Sequence, residues 1–174
     1  MVLSKEEIPF QAAIITLSDK GYNNERVDES GPLAKKILEE YGYEVVEMIL
    51  IPDDSEWLKK ELIRLCDSVG VDLILTSGGT GFSLRDNTPE ATVEVSDRNA
   101  PGIAEYMRFK SMMVTDRGML SRGVSVIRKQ TLIVNLPGSP KAVKENLSFV
   151  IANLDHGLKV LRGSAGECAQ DIRS

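Results

Sequence analysis

A single histidine and two cysteines among 174 residues leave this chain little material for the commonest metal and nucleophile chemistry. With only His156 available, a histidine-based metal cluster is excluded, and a histidine-dependent triad would rest on one residue in an expected C-terminal helix. Cys66 falls on an apolar helical stripe and Cys168 in a glycine-bearing tail. Neither has a partner motif, so reduced thiols are expected rather than a disulfide framework. No apolar run approaches the roughly 20 residues that span a bilayer. Met1 to Pro9 lack the basic region and apolar block of a secretion signal, so a cytoplasmic chain with no membrane partner is expected. A net charge of −5 argues against nucleic acid held on a broad basic face. What remains is ordinary globular usage, 42% apolar and 27% charged, at a length that suits one domain over residues 1–174.

The acidic balance is not uniform. Residues 98–129 carry Arg98, Arg108, Lys110, Arg117, Arg122, Arg128 and Lys129 against only Glu105 and Asp116. Such a stretch is compatible with a focused anionic ligand, a solvated surface or a subunit contact.

Glycine is where the sequence is extravagant. Leu73 to Thr76 reads as a buried strand, and it runs into Ser77, Gly78, Gly79, Thr80 and Gly81 before a helix signal at Thr88-Pro89-Glu90. Each glycine costs roughly 0.5–1 kcal/mol against alanine where no unusual dihedral is needed. A glycine-rich connector would explain the loop; so would a nest of backbone N–H groups that meets anionic oxygens. Asp86 lies between nest and helix, where bound phosphate would repel it unless a cation intervened. It therefore reads either as a magnesium ligand or as the carboxylate of an Asx turn.

Around this loop the pattern is βαβαβ. Ala12–Leu17 reads as a buried strand followed by a long polar loop from Ser18 to Glu29. Ser30 can cap a helix striped by Leu33, Ile37, Leu38 and Tyr41, and Val45–Ile51 is a second strand. A helix carrying Trp57, Leu58, Leu62, Ile63 and Leu65 leads to a third strand over Val71–Thr76, with Trp57 assigned to the core. Further on, a helix is expected over Pro101–Met113 and an antiparallel pair over Val124–Arg128 and Thr131–Leu136. A last helix of about twenty residues follows Pro137-Gly138-Ser139-Pro140. This predicts a three-layer α/β/α domain with a mostly parallel sheet and a short antiparallel strand pair. Ligands of such sheets bind at the carboxyl ends of the strands, which gathers Ser18-Asp19, Asp53-Asp54 and Gly78 to Asp86 at one edge. Asp53 could cap the helix after it, but Asp54 and Ser55 can serve that purpose. The loop lacks the Gly-x-x-x-x-Gly-Lys-Ser/Thr pattern and does not fit the dinucleotide fingerprint, which disfavours an ordinary nucleotide-binding domain.

Thr16-Leu-Ser-Asp19, Ile51-Pro-Asp53, Thr76-Ser-Gly-Gly-Thr-Gly81, Arg85-Asp-Asn-Thr-Pro-Glu-Ala-Thr92, Pro101-Gly-Ile-Ala-Glu105, Leu120-Ser-Arg122 and Asn135-Leu-Pro-Gly-Ser-Pro140 occur in an order that resembles the molybdopterin adenylyltransferases and their MogA/MoaB-type relatives. The resemblance covers nearly the whole chain. It implies magnesium-dependent adenylylation of the terminal phosphate of molybdopterin by ATP, with release of pyrophosphate, in molybdenum cofactor biosynthesis.

By the same resemblance Asp53 and Asp86 are the key acids and metal ligands. Two carboxylates about 4 Å apart repel by roughly 4 kcal/mol at an effective dielectric of 20, which a bridging cation relieves. The Gly78-Gly79-Thr80-Gly81 nest, helped by the Ser77 and Thr80 hydroxyls, is implied to hold phosphate where pterin and nucleotide meet. Ser18, Asp19, Glu105, Pro137, Gly138 and Ser139 are the remaining implied substrate contacts. Glu105 reads equally as a surface acid, and Pro137 to Ser139 as a plain strand-to-helix corner. A homotrimer is implied, with a molybdate-inserting enzyme of the pathway as a partner. That enzyme type carries further domains that 174 residues are not expected to contain. The rival from another class is a non-catalytic molybdopterin-binding carrier or scaffold, which would need the nest but not both acids.

Overall fold

In the computed structural model, which describes residues 8–163, the chain runs β1 (Gln11–Leu17), α1 (Asp19–Tyr22), α2 (Ser30–Glu40), β2 (Glu44–Ile51), α3 (Ser55–Arg64), β3 (Leu73–Ser77), α4 (Thr88–Glu94), β4 (Arg98–Asn99), α5 (Pro101–Met112), β5 (Ser125–Arg128), β6 (Thr131–Leu136) and α6 (Pro140–Leu161). One sheet takes the order β2-β1-β3-β6-β5-β4. β1 pairs in parallel with β2 and β3, and β3 with β6. β5 runs antiparallel to both β6 and β4. Cys168 lies outside the described residues.

Side-chain alternation sorts the core. Ala12, Ile14, Leu73, Leu75, Leu132 and Val134 face one side, where α2, α5 and α6 bring Leu38, Met107 and Leu147. Ala13, Ile15, Ile74 and Ile133 face the other, where α3 and α4 bring Leu58, Leu62 and Ala91. Each fully buried Leu or Ile contributes about 1.5–3 kcal/mol, so strands apolar on both faces hold the middle layer between helices. The expected three-layer α/β/α architecture is observed, with the antiparallel pair at β5 and β6.

Local chemistry moves several boundaries. Ser30 does not cap α2; the Asp28 carboxylate accepts the Ser30 and Gly31 N–H groups at 2.9 and 3.1 Å, and Ser30 is the first helical residue. The long polar loop contains α1, whose Ser18 hydroxyl accepts the Gly21 N–H at 3.0 Å. Val71 is buried but precedes the third strand, which starts at Leu73. Thr88 is helical rather than the cap, and the capping position is Asn87. Trp57 is 48% exposed instead of in the core, and its ring meets that of Tyr22 of α1 edge to face with centroids 5.5 Å apart. Tyr41 and Ile63 also remain exposed at the margins of their helices.

Candidate active site

Four parallel strands, β2, β1, β3 and β6, end side by side, and their exits form the site. At the exit of β3, Gly78 adopts φ 108° and Gly79 φ 64°, where side-chain-bearing residues are rare. A Cβ on Gly78 would lie 2.4 Å from the Leu17 carbonyl oxygen, and one on Gly79 2.2 Å from the Thr88 hydroxyl. Close approach of neighbouring backbone and side chain thus requires glycine at both positions. Gly138, after β6, packs against the Gly78 Cα in turn. The N–H groups of Gly79, Thr80 and Gly81 meet no acceptor among the described residues. They are free to serve an anion.

The two acids come from separate strand exits. Asp53 follows β2 and Asp86 sits before α4, and both line one cavity of about 300 Å³ with Ser18, Gly78, Gly79, Gly138 and Ser139. Asp53 and Asp19 exchange bonds: the Asp19 N–H donates to Asp53 Oδ2 at 3.1 Å and the Asp53 N–H to Asp19 Oδ1 at 3.0 Å. Asp86 Oδ2 accepts the Ser83 N–H at 2.8 Å. Each of Asp53 and Asp86 therefore keeps Oδ1 without a donor among the described residues. Burial raises the Asp53 carboxyl above the ordinary carboxylate range. The Asp19 N–H and Arg85 oppose the rise, and the charges of Asp19 and Asp86 add to it. A cation between the two acids would relieve that tension. No group of three or more His, Cys, Asp or Glu residues that could hold a metal occurs among the described residues. The donor set is therefore two carboxylates, which suits magnesium completed by phosphate and water rather than a closed protein cage.

Not every expected contact faces that cavity. The Ser77 hydroxyl donates to the Pro137 carbonyl at 3.1 Å and is buried, and Thr80 is buried as well. Pro137 lines a second cavity of about 160 Å³ with Arg108, Ser111, Ser121, Asn135 and Asn146, across the corner from the first. Asp19 stands behind Asp53, holding it. Glu105 is exposed on α5 and lines neither cavity.

Sequence reasoning missed the arginines that hold this edge. Arg85 Nη2 donates to Asp19 Oδ1 at 2.9 Å and to the Asp53 carbonyl at 3.1 Å, tying the glycine loop to the β1 and β2 exits. Arg122 reaches the loop from behind. Its Nε donates to the Gly81 carbonyl at 2.7 Å, its other nitrogens to the Asp86 carbonyl and the Glu90 carboxylate, and its N–H to the Thr80 carbonyl at 2.9 Å. Below, the buried Asn135 amide donates to the Thr76 and Thr92 hydroxyls at 2.9 and 3.0 Å and its oxygen accepts the Val124 N–H at 3.2 Å. The basic stretch is mostly spent internally: Arg128 and Lys129 pair with Asp67, and Arg108 donates to the Gly123 carbonyl. Arg108 and Arg117 of the stretch line the second cavity. The signals for Arg122 are its places in the basic stretch and in the Leu120-Ser-Arg122 motif, and neither gives its partners.

Comparison with known proteins supports the same assignment of kind. Residues 13–156 match the family described as the probable molybdopterin binding domain. The molybdopterin adenylyltransferase of Helicobacter pylori strain 26695 is 35% identical over 153 residues, 87% of each chain. The molybdopterin biosynthesis enzyme MoaB of Thermus thermophilus superposes with a TM-score of 0.84 at 45% identity, over 88% of this chain and 97% of that one. The tungsten cofactor synthesizing protein MoaB of Pyrococcus furiosus gives 0.78 at 35% identity, over 88% and 98%. With most of its length matched in sequence and in fold, the chain belongs to the molybdopterin-binding domain family of molybdenum cofactor biosynthesis.

Proposed function

We propose that the chain adenylylates the terminal phosphate of molybdopterin with ATP and releases pyrophosphate. The observation that carries this reading is the pair of carboxylate oxygens, Oδ1 of Asp53 and of Asp86, left without donors on the wall of a cavity that also exposes Gly78 and Gly79. A binding module would need the glycines; two acids facing incoming phosphates repel the ligand unless a cation is part of the design. Asp53 and Asp86 would hold magnesium, which when bound supplies neutralisation of the ATP phosphates.

The attacking group is a phosphate oxygen, largely ionised at neutral pH because its second pKa is about 6, so no strong base is required. That oxygen forms a bond to the α-phosphorus as the bond to the bridging oxygen breaks, and the electron pair leaves with pyrophosphate. Catalysis then consists of alignment and charge stabilisation. The N–H groups of Gly79, Thr80 and Gly81 serve the phosphate oxygens, and Asp19, Arg85 and Arg122 keep the acids and loop in place. The second cavity, lined by Arg108, Arg117, Ser111 and Pro137 across the corner from the first, is the pocket we assign to the pterin, next to a nucleotide in the first.

A cytoplasmic homotrimer that hands its product to a molybdate-inserting enzyme accompanies this reading. Tyr106, Phe109, Met113, Val114, Met119 and Leu120 expose large apolar side chains along α5 and the turn after it, as a subunit contact requires. No helix among the described residues is long and apolar enough to cross a membrane.

The test is incubation with molybdopterin and MgATP without molybdate, reading adenylylated pterin and pyrophosphate together. Equal amounts of both are expected, and Asp53→Ala or Asp86→Ala should lower the rate at least about a thousandfold while the fold persists. Tight pterin binding without either product would establish the carrier or scaffold instead.

A further inference from the structure

We propose that Arg26 is a substrate-binding residue whose guanidinium grips the polyphosphate of the nucleotide in the Asp53/Asp86 cavity; this rests on the adenylyl-transfer reading. The charged side chains lining that cavity are Asp28, Glu29, Asp53, Asp86 and Arg26. A nucleoside triphosphate brings further negative charge into a wall already acidic. A divalent cation between Asp53 and Asp86 offsets only part of it, so a fixed positive group is required elsewhere on the wall.

The other arginines at this edge are committed. Arg85 is spent on Asp19 and the Asp53 carbonyl, and Arg122 on the back of the glycine loop; neither lines the cavity. Arg26 is exposed, and its side chain has no hydrogen bond or ion pair among the described residues. It lines the cavity with four carboxylates and pairs with none of them.

The backbone beneath Arg26 is fixed. The Glu25 and Arg26 N–H groups donate to the Lys20 carbonyl at 2.8 and 3.2 Å, and Asn24 turns the chain at φ 60°. Two residues on, the Asp28 carboxylate takes the Thr16 hydroxyl at 2.8 Å and the Ser30 and Gly31 N–H groups. That carboxylate is consumed by the start of α2 and leaves Arg26 unpaired. The result is an arginine anchored on both sides at the cavity wall with its planar fork uncommitted, a form suited to bidentate binding of phosphate oxygens.

Steady-state kinetics of Arg26→Ala and Arg26→Lys test this, with thermal melting as the control for folding. The alanine variant is expected to raise KM for ATP about tenfold or more, the scale of a lost charge-assisted hydrogen bond. Its kcat should stay within a few-fold, KM for molybdopterin should be unchanged, and lysine should restore part of the loss. An unchanged KM for ATP in a folded alanine variant overturns the proposal. A rise confined to KM for molybdopterin also overturns it, because the guanidinium would then hold the pterin phosphate.

Calorimetry with magnesium tripolyphosphate separates this from the reading beneath it. If the wild-type chain makes no adenylylated product, that reading fails. Weaker tripolyphosphate binding by Arg26→Ala than by wild type would still support the contact, and equal or absent binding in both would sink it.

Discussion

Two segments face the same cavity and are held in opposite ways. The glycine loop from Gly78 to Thr88 is clasped by side chains: Arg122, from outside it, takes two of its carbonyls, and Arg85, on the loop itself, reaches back to Asp19 and Asp53. The segment from Asn23 to Asp28 is held through its backbone, by bonds from the Glu25 and Arg26 N–H groups to the Lys20 carbonyl, and by the Asp28 carboxylate, and leaves the side chains of Arg26 and Val27 exposed. The first arrangement suits a cradle whose dipoles must already point at the place where charge develops. The second suits an arm that meets a long flexible ligand. One side of the cavity is built to position and the other to grip.

Among changes to the residues that hold the two segments, removing the clasp should give the largest effect. Arg122→Lys keeps the charge but cannot reach the Gly81 carbonyl, the Asp86 carbonyl and Glu90 at once. A fall in kcat of about a hundredfold is expected as Asp86 and the N–H groups lose alignment. Stability should drop by only about 1 kcal/mol, because the acceptors are half-buried or exposed and water can replace the lost donor. Glu90→Gln, which leaves both carbonyl bonds intact, should stay within a few-fold of wild type. Near-normal kcat in the lysine variant would mean that the loop holds itself, and the contrast between the two segments would disappear.

How much of this was legible follows from the range of each signal. β1, β3 and β6 were readable because they are apolar on both faces, and α6 because Val143, Leu147, Val150, Ile151, Leu154 and Leu158 repeat at helical spacing. Gly78 and Gly79 were readable because unneeded glycines cost stability, and the structure shows both at positive φ. α1 and β4 were not, since four and two residues carry no usable period. Ser30 fits a cap by residue type, while the group that satisfies those N–H donors, Asp28, lies two residues earlier. Trp57 falls on an apolar stripe but is exposed, because helical spacing reports a stripe without its edges. Arg122 escaped because its partners lie 32 to 41 positions away and only the fold brings them together.

The loop's own interior offers a smaller test of the same contrast. The Thr88 hydroxyl is buried beneath Gly79 and is the one buried side-chain polar atom without a hydrogen-bond partner among the described residues. Thr88→Val keeps the shape and removes that cost. A gain of about 1 kcal/mol is expected, which at this chain length raises Tm by about 2–4 °C. Turnover should hold, because the hydroxyl is sealed away from the cavity. A loss of stability would show that the hydroxyl is satisfied after all and that the clasp has a further member.

The smallest effect concerns Asp53, and its sign is the readout. Burial, with the charges of Asp19 and Asp86, raises its carboxyl above the ordinary value in the folded chain. Between that ordinary value and the raised one, the folded chain holds a proton that the unfolded chain has released. Stability contributed by this group therefore falls as pH rises through the window, and above it the ionised carboxylate is a standing cost. In buffer free of divalent cations, Asp53→Asn should accordingly be more stable than wild type above the window, with the gap closing as pH falls below it. Asparagine keeps the bond from the Asp19 N–H, which its side-chain oxygen accepts. Magnesium should reverse the order by stabilising wild type alone, since only the carboxylate gains from the ion. Urea melts of both chains at two pH values, with and without magnesium, decide it; a variant less stable at high pH without the ion would mean that Asp53 is held as a structural carboxylate and not kept ionised for a cation.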